Sequence, residues 1–514
     1  MQQLTGRASS FLNFETPTAV AHTGSVSLFD PLPDGTLLTA ETVRALFNER
    51  SDELPQYRRR LVPVPLGLDR PYWVEDAAFD LEYHVRVIAV PAPGDLDNLA
   101  ELISRLHARP LDRAHPLWEV YLIEGLATGQ VAWYTKTHHA CLDSYTGAEI
   151  MNALLDRHPA GRASSERVDA LDRPATTNPG RVPTGPEMLG RSLFTLARRP
   201  RAVLRLQRSL ARSTYRQVSN QIPPLLETIA ETLDRSSGFV GKSLGRRLAT
   251  DGYLSRPALV APRLSFNGAL SAHRRVAFGT FPFDDLKTVK NWAQEELPGT
   301  TINDVVMAMS AGALRTWLHR RQEAPGEPLL ALVPVSVRDD TTADARTERV
   351  AGMIAALPTN EPDAFDRLRL AHEAMSIAKD EHAAVPAELL ADLGDFAPPV
   401  IAAGAAQLVS RLSIADRANP RFNVVISNIP GPQRPRYVGG HLQAAAFPVP
   451  IVSDGAGLNI TLLSYAGQMY VGVIACRDAV EDLSDLIEDL GDSLAELVEL
   501  TTTSHIPNVS KEQQ

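Results

Sequence analysis

The stretch VAWYTKTHHACLDSYTGAEIMNALL, residues 131–155, decides how the chain is read. Its first seven residues are mostly β-branched, aromatic or apolar, the composition of a strand. Residues 145–155 place apolar side chains at helical spacing. Between them stands HHACLDS, with Asp143 or Ser144 as N-cap of the following helix. The segment is therefore predicted as strand, turn and helix, with His138 and His139 at the strand end. A base held there is rigid yet exposed, and imidazole titrates near the pH at which a hydroxyl must give up its proton. His139 suits that role. Adjacent residues of an extended chain face opposite ways, so unless the strand has already ended one histidine of the pair is read as structural. Asp143 can accept backbone N–H groups or pair with an arginine, an architectural part. The same residues also fit an ordinary strand–turn–helix without chemistry, so support must come from elsewhere. A metal site is not expected, because adjacent histidines rarely converge on one ion and no third ligand lies near.

Working outward, residues 118–123 form a second apolar strand, joined to 131–137 by a glycine-containing turn. With the surrounding residues 36–158 they make a mixed α and β region. From about residue 157 to 262 Pro, Arg, Ser and Thr increase, the mark of a linker. Within it no acidic residue occurs between Arg191 and Arg216. Arg205, Arg208, Arg212 and Arg216 fall at helical spacing there, while Val203, Leu206 and Leu210 share another face. Such a basic amphipathic helix suits either an anionic lipid interface or the chain's own acidic surface. Strands are predicted again at 329–337 and 423–427, with a hairpin over 458–476 turning at Ala466-Gly467. Pro334 places the first of these at a sheet edge or a bulge. An acidic amphipathic helix at 483–500 closes the region. It contains LGDSL, residues 490–494, which superficially resembles a phosphopantetheine attachment sequence, but its apolar periodicity reads as a packed helix.

At 514 residues the chain exceeds what one core usually organises, about 250–300 residues, so two domains are expected. The division is placed at 1–160, 161–262 for the linker, and 263–514. A net charge of −10 argues against nucleic acid as a partner. Two cysteines, Cys141 and Cys476, cannot build a disulfide framework or a four-cysteine zinc site. Without a run of about 18 apolar residues or a secretory start, the chain is read as cytoplasmic, peripheral at most to the inner face of the membrane or to a lipid droplet.

HHACLDS resembles the H-H-x-x-x-D-G motif of the coenzyme A-dependent acyltransferase superfamily. Pro116-Leu117-Trp118, Asn303-Asp304 within TTINDVVMAMSAGALR, and SNIPGP at 427–432 resemble blocks of its bacterial wax ester synthase/diacylglycerol acyltransferase family, in the family's order. The likeness extends over 69–86 and 458–473, nearly the whole chain outside the linker. It implies an α/β fold with mixed sheets: two chloramphenicol-acetyltransferase-like domains joined by a long helical crossover. It further implies O-acyl transfer from long-chain acyl-CoA to diacylglycerol or a fatty alcohol, with acyl-CoA as co-substrate and no tightly bound cofactor. His139 would be the general base, with His138 and Asp143 holding the motif.

The resemblance also implies substrate contacts at Pro116, Leu117, Trp118, Ser144, Asn303, Asp304, Ser427, Asn428 and Gly431. Asn303 is the candidate donor to an oxyanion or ligand. Asp304 also fits a capping box with Thr301, and Trp118 fits a buried core position. Ser427–Pro432 also reads as a plain turn. Two departures stand out. Ser144 replaces the motif glycine, which leaves a second reading, an acyl-CoA- or lipid-binding homologue impaired in turnover. Ala351-Gly352-Met353 lacks the Asn usual beside that glycine. A third reading, condensation with a carrier protein, is weakened by the absence of a carrier domain.

Overall fold

The computed structural model describes residues 2–142, 150, 153–161, 184–188, 190–191, 261–337, 349–383 and 419–502. The basic stripe beyond Arg191, the motif residues Asp143 and Ser144, and most of the helix predicted after them lie outside the described residues.

The first half runs β1 (Gln2–Gln3), α1 (Gly6–Phe14), β2 (His22–Phe29), α2 (Ala40–Glu49), β3 (Arg59–Val62), β4 (Tyr72–Glu75), α3 (Leu81–His84), β5 (Val85–Ala89), α4 (Leu96–Ala108), β6 (Trp118–Glu124) and β7 (Val131–His138). The second runs β8 (Arg274–Pro282), α5 (Phe283–Glu296), α6 (Ile302–Arg320), β9 (Leu329–Val337), β10 (Arg349–Leu357), α7 (Ala364–Ala383), β11 (Val424–Pro430), β12 (Tyr437–Val438), β13 (His441–Val449), β14 (Leu458–Tyr465), β15 (Gln468–Cys476) and α8 (Leu483–Thr502). The α/β class with mixed sheets expected from the sequence is the one observed.

Two six-stranded sheets and a small one organise these elements. The first sheet has the order β12-β13-β2-β7-β6-β5 and the second β10-β9-β11-β14-β15-β8. The third, β1-β4-β3, packs beside α1. β6 and β7 are buried along almost their whole length. That fits their continuous apolar, β-branched character, since strands covered on both faces need not alternate. The hairpin between β14 and β15 turns at Ala466 and Gly467, whose φ angles of 47° and 83° give the two left-handed residues a tight hairpin needs.

Pro334 is not at an edge, and β9 keeps an unbroken register with β10 from Leu329 to Val337. The reason is local: the ladder from β9 to β11 involves only Ala331 and Leu332, so β11 has ended its pairing two residues before the proline. LGDSL lies within α8, with Ser493 buried.

β13 follows the linker in sequence yet pairs with β2 of the first sheet, Phe447 opposite Val26 and Val449 opposite Gly24. One apolar cluster accordingly spans both halves, joining Val26 and Tyr134 to Val276, Phe278 and Tyr470. Gly472 permits the contact between sheets, because a Cβ there would lie 1.7 Å from the Pro448 carbonyl oxygen. α4 lies in this junction: the Ser104 hydroxyl accepts the Val276 N–H at 2.8 Å. A second cluster packs α5, α6, α7 and α8 on the other face of the second sheet.

Candidate active site

β7 ends between two partners that fix its last residues. His22 of β2 stands opposite His138, and Trp118 of β6 opposite Thr137. The His138 N–H donates to the Leu117 carbonyl at 3.0 Å, and the His139 N–H to the Ala21 carbonyl at 2.9 Å. The chain then tightens into a 3-10 turn, His139–Leu142. Residues 116–118 thus serve the motif through their backbone: the start of β6 is the surface on which the end of β7 is registered.

The two histidines meet different surroundings. His138 is buried at 2% exposure. Its Nδ1 accepts the Ala140 N–H at 3.0 Å, and its Nε2 lies 3.2 Å from Glu15 Oε1. Glu15, just past the end of α1, also accepts the Ala21 N–H at 2.8 Å and the Arg113 guanidinium at 2.6 Å. Burial would raise its pKa, but the His138 ring, the Arg113 guanidinium and the Ala21 N–H outweigh it and hold the carboxyl at about 2. Glu15 is therefore ionised, and it engages both the His138 ring and the residue whose carbonyl receives the His139 N–H. His139 is only partly buried, its ring stacked on Phe11 at a centroid distance of 4.6 Å and 18° between planes.

Beneath this strand end lies a polar layer that the sequence reading missed. Lys136, fully buried, donates to the Leu106 carbonyl at 3.0 Å and to that of Arg109, closing the C-terminus of α4 from inside the sheet. Glu119 lies 3.8 Å away. Burial pulls the ammonium down to about 8, Glu119 opposing. His22 Nε2 donates to the His107 carbonyl at 2.8 Å, and His107 Nδ1 shares a hydrogen bond with the Tyr134 hydroxyl at 2.8 Å. Burial, then the charges of Lys136 and Arg274, push His107 to about 3, so it is neutral. Burial, then Lys136, likewise holds His22 well below the usual histidine range. The signal available in the sequence was a lysine inside a strand whose other residues are apolar, aromatic or hydroxyl-bearing: such a charge needs partners.

The remaining candidates divide into groups. Pro116, Leu117 and Trp118 are all buried. Trp118 is 0% exposed, stacks against Phe47, Tyr57 and His84, and donates its indole N–H to the Tyr57 carbonyl at 2.8 Å, a core position. In the second half, Asn428 Nδ2 donates to Asn303 Oδ1 at 2.7 Å, joining the end of β11 to the start of α6. Asp304 completes the capping box: its carboxylate accepts the Thr301 N–H at 2.8 Å and the Thr301 hydroxyl accepts the Asp304 N–H. The same carboxylate oxygen accepts from His372 Nδ1 at 3.0 Å. Asp304, 1% exposed, thus commits one carboxylate oxygen to α6 and α7, while its Oδ1 has no hydrogen-bond partner among the described residues. Gly431 spends its N–H on the Ser464 hydroxyl at 3.2 Å, and a Cβ there would lie 2.2 Å from the Ser464 carbonyl oxygen. Its role in the structure is a close approach to β14, with its amide donor already used. Ser427 and Asn428 remain partly exposed on β11.

Two mixed sheets, the first completed by two strands from the second half of the chain, with a histidine pair at the end of a central strand of the first, define the two-domain acyltransferase and condensation fold. A solved structure of this kind, the first condensation domain of the CDA synthetase, superposes with a TM-score of 0.52 at 16% identity over 98% of this chain and 96% of its own. The wax ester synthase/diacylglycerol acyltransferase from Marinobacter aquaeolei VT8 superposes with a TM-score of 0.65 at 27% identity, over 97% of this chain and all of that one. A protein of Mycobacterium tuberculosis strain H37Rv named as a probable diacylglycerol O-acyltransferase is 34% identical over 494 residues, 95% of this chain and 97% of that one. The wax ester synthase/diacylglycerol acyltransferase catalytic domain matches residues 4–306, and the C-terminal domain of the same family matches residues 348–498. The chain belongs to the wax ester synthase/diacylglycerol acyltransferase family, and it is an acyltransferase.

Proposed function

We propose that the chain transfers a long-chain acyl group from acyl-CoA to the hydroxyl of a lipid alcohol, diacylglycerol or a fatty alcohol, with His139 as general base. The observation that carries this reading is the division of labour at the end of β7. His138 is turned into Glu15, whereas His139 is only partly buried, on a backbone fixed by Ala21. His139 would take the hydroxyl proton as the oxygen attacks the thioester carbonyl. The acyl carbon–sulfur bond then breaks and the proton passes to the leaving CoA thiolate, giving ester and free CoA without a covalent acyl-enzyme. Asn303, fixed by Asn428, is the candidate donor to the oxyanion, and Asp143 and Ser144 complete the motif in this reading. In this reading the chain divides at 1–160, 161–262 and 263–514; β12 and β13, from the last of these, pair in the first sheet.

The acceptor's insolubility supports a lipid surface as the working environment, with the basic linker stripe as the contact; among the described residues no helix is long and apolar enough to cross a membrane. The test is a labelled palmitoyl-CoA assay offered dioleoylglycerol and hexadecanol, with wild type and His139→Ala. Loss of a general base costs roughly 10²- to 10⁴-fold in rate. Ester formation that collapses by that factor in a folded variant supports the mechanism, and undiminished ester formation removes His139 from it. Acyl-CoA binding without ester from wild type, restored by Ser144→Gly, favours the impaired homologue instead.

A further inference from the structure

We infer that Phe11 is a positioning residue for the base: its ring lies face to face with His139 and fixes the plane in which that imidazole meets the acceptor hydroxyl. The inference rests on the role proposed for His139 and deepens it. Its ground is what the backbone leaves undetermined. The hydrogen bond from the His139 N–H to the Ala21 carbonyl fixes the main chain, but rotation about the bond from Cβ to the imidazole is broad, with no sharp preferred angle. Contacts outside the residue set the ring plane. Phe11 supplies one, with centroids 4.6 Å apart and planes inclined by 18°.

Phe11 can do this because α1 is itself held at both ends and along one side. Thr5 caps its start, accepting the Ala8 N–H at 3.1 Å. Leu4, Ala8 and Leu12 are buried in one cluster with Leu61, Leu117, Ala140 and Cys141, the last two from the motif turn itself. Arg113 binds the Leu12 carbonyl at 3.1 Å and the Glu15 carboxylate at the helix end. Glu15 is the first residue past the helix end, four positions after Phe11, and the two side chains reach adjacent rings. One short helix therefore addresses both histidines, Glu15 meeting the ring of His138 and Phe11 that of His139. Proton transfer is steep in distance and angle, so a ring that has lost this stacking contact rotates more widely and spends less time in the productive orientation while substrate binding is untouched.

The experiment compares wild type, Phe11→Leu, which keeps an apolar side chain without a flat face, and Phe11→Tyr, which keeps the face. Two readouts are taken: esterification kinetics with palmitoyl-CoA and hexadecanol, and the rate at which diethyl pyrocarbonate modifies His139, resolved from His138 by peptide fragmentation in the mass spectrometer. The expected result for Phe11→Leu is about a tenfold lower kcat, KM for both substrates within about twofold, and His139 modified several times faster. Phe11→Tyr should match wild type in both. Wild-type kcat and modification rate in Phe11→Leu overturn the inference, and so does a loss expressed in KM alone, which would make Phe11 a substrate wall. Should Phe11→Leu not fold, Phe11→Met takes its place on the same criteria. Modification is read without turnover, so a wild type that makes no ester refutes the proposed function and leaves this comparison decisive.

Discussion

Replacing Glu15 by Gln removes the charge beside His138 while keeping the side chain's shape and an oxygen for the Ala21 N–H. The structure sets the size of the effect. A carboxyl held at about 2 against an ordinary value of 4.5 carries about 3 kcal/mol of preference for the ionised form in the fold. The side chain is 14% exposed, so solvent screens little of this. The sign follows from the direction of the shift. Because the folded value is depressed, the contribution is fully present above about pH 4.5 and disappears as pH falls toward 2. In urea unfolding at pH 7, Glu15→Gln should be less stable than wild type by about 2–3 kcal/mol. The gap should narrow to about half near pH 3, where wild-type Glu15 protonates in the unfolded chain but not yet fully in the fold. His107, held at about 3, separately weakens both proteins as pH drops below the ordinary histidine range, so the difference between them isolates Glu15. Coincident unfolding curves at pH 7, or a gap that does not change with pH, would refute the reasoning.

Lys136→Met should lose about 1–3 kcal/mol at pH 7, measured by urea unfolding, because the Leu106 and Arg109 carbonyls lose their donor inside the sheet. The lysine's folded pKa is depressed to about 8, so wild type alone gains stability as pH rises from about 8 toward 10.5, and the gap should widen over that window. Gly472→Ala pushes a methyl into the Pro448 carbonyl across the two sheets, and should cost at least about 3 kcal/mol, seen as a fall in the thermal midpoint and in soluble yield. Asp304→Ala removes the capping box of α6 and the partner of His372; a loss of about 2 kcal/mol in urea is expected, and an unchanged midpoint would mean the carboxylate serves a ligand rather than the helix.

The parts of this fold legible in the sequence are those whose reasons are local. β6 and β7 declare themselves by composition, the β14–β15 hairpin by Ala466-Gly467, and α6 by the Thr301–Asp304 spacing. The placement of β13 has no local reason: HLQAAAFPV is a credible strand, but nothing in it names β2, more than 400 residues upstream, as its neighbour. Pro334 was misjudged for a related cause, since its tolerance depends on where β11 stops pairing.

The site divides the same way. HHACLDS is visible because its residue types are unusual at a strand end; strand alternation does not decide where the two rings point, because β7 ends at His138 and His139 already begins the 3-10 turn. What directs each ring is supplied by α1, in residues that are unremarkable where they occur. Phe11 and Glu15 lie in and just after a nine-residue helix, too short for its periodicity to stand out. They acquire meaning only because Leu4, Ala8 and Leu12 seat that helix on the motif turn. Packing on an apolar face thus sets the distance at which Glu15 meets one imidazole and Phe11 the other, and the chemistry proposed for His139 inherits its precision from a hydrophobic contact more than 120 residues away in sequence.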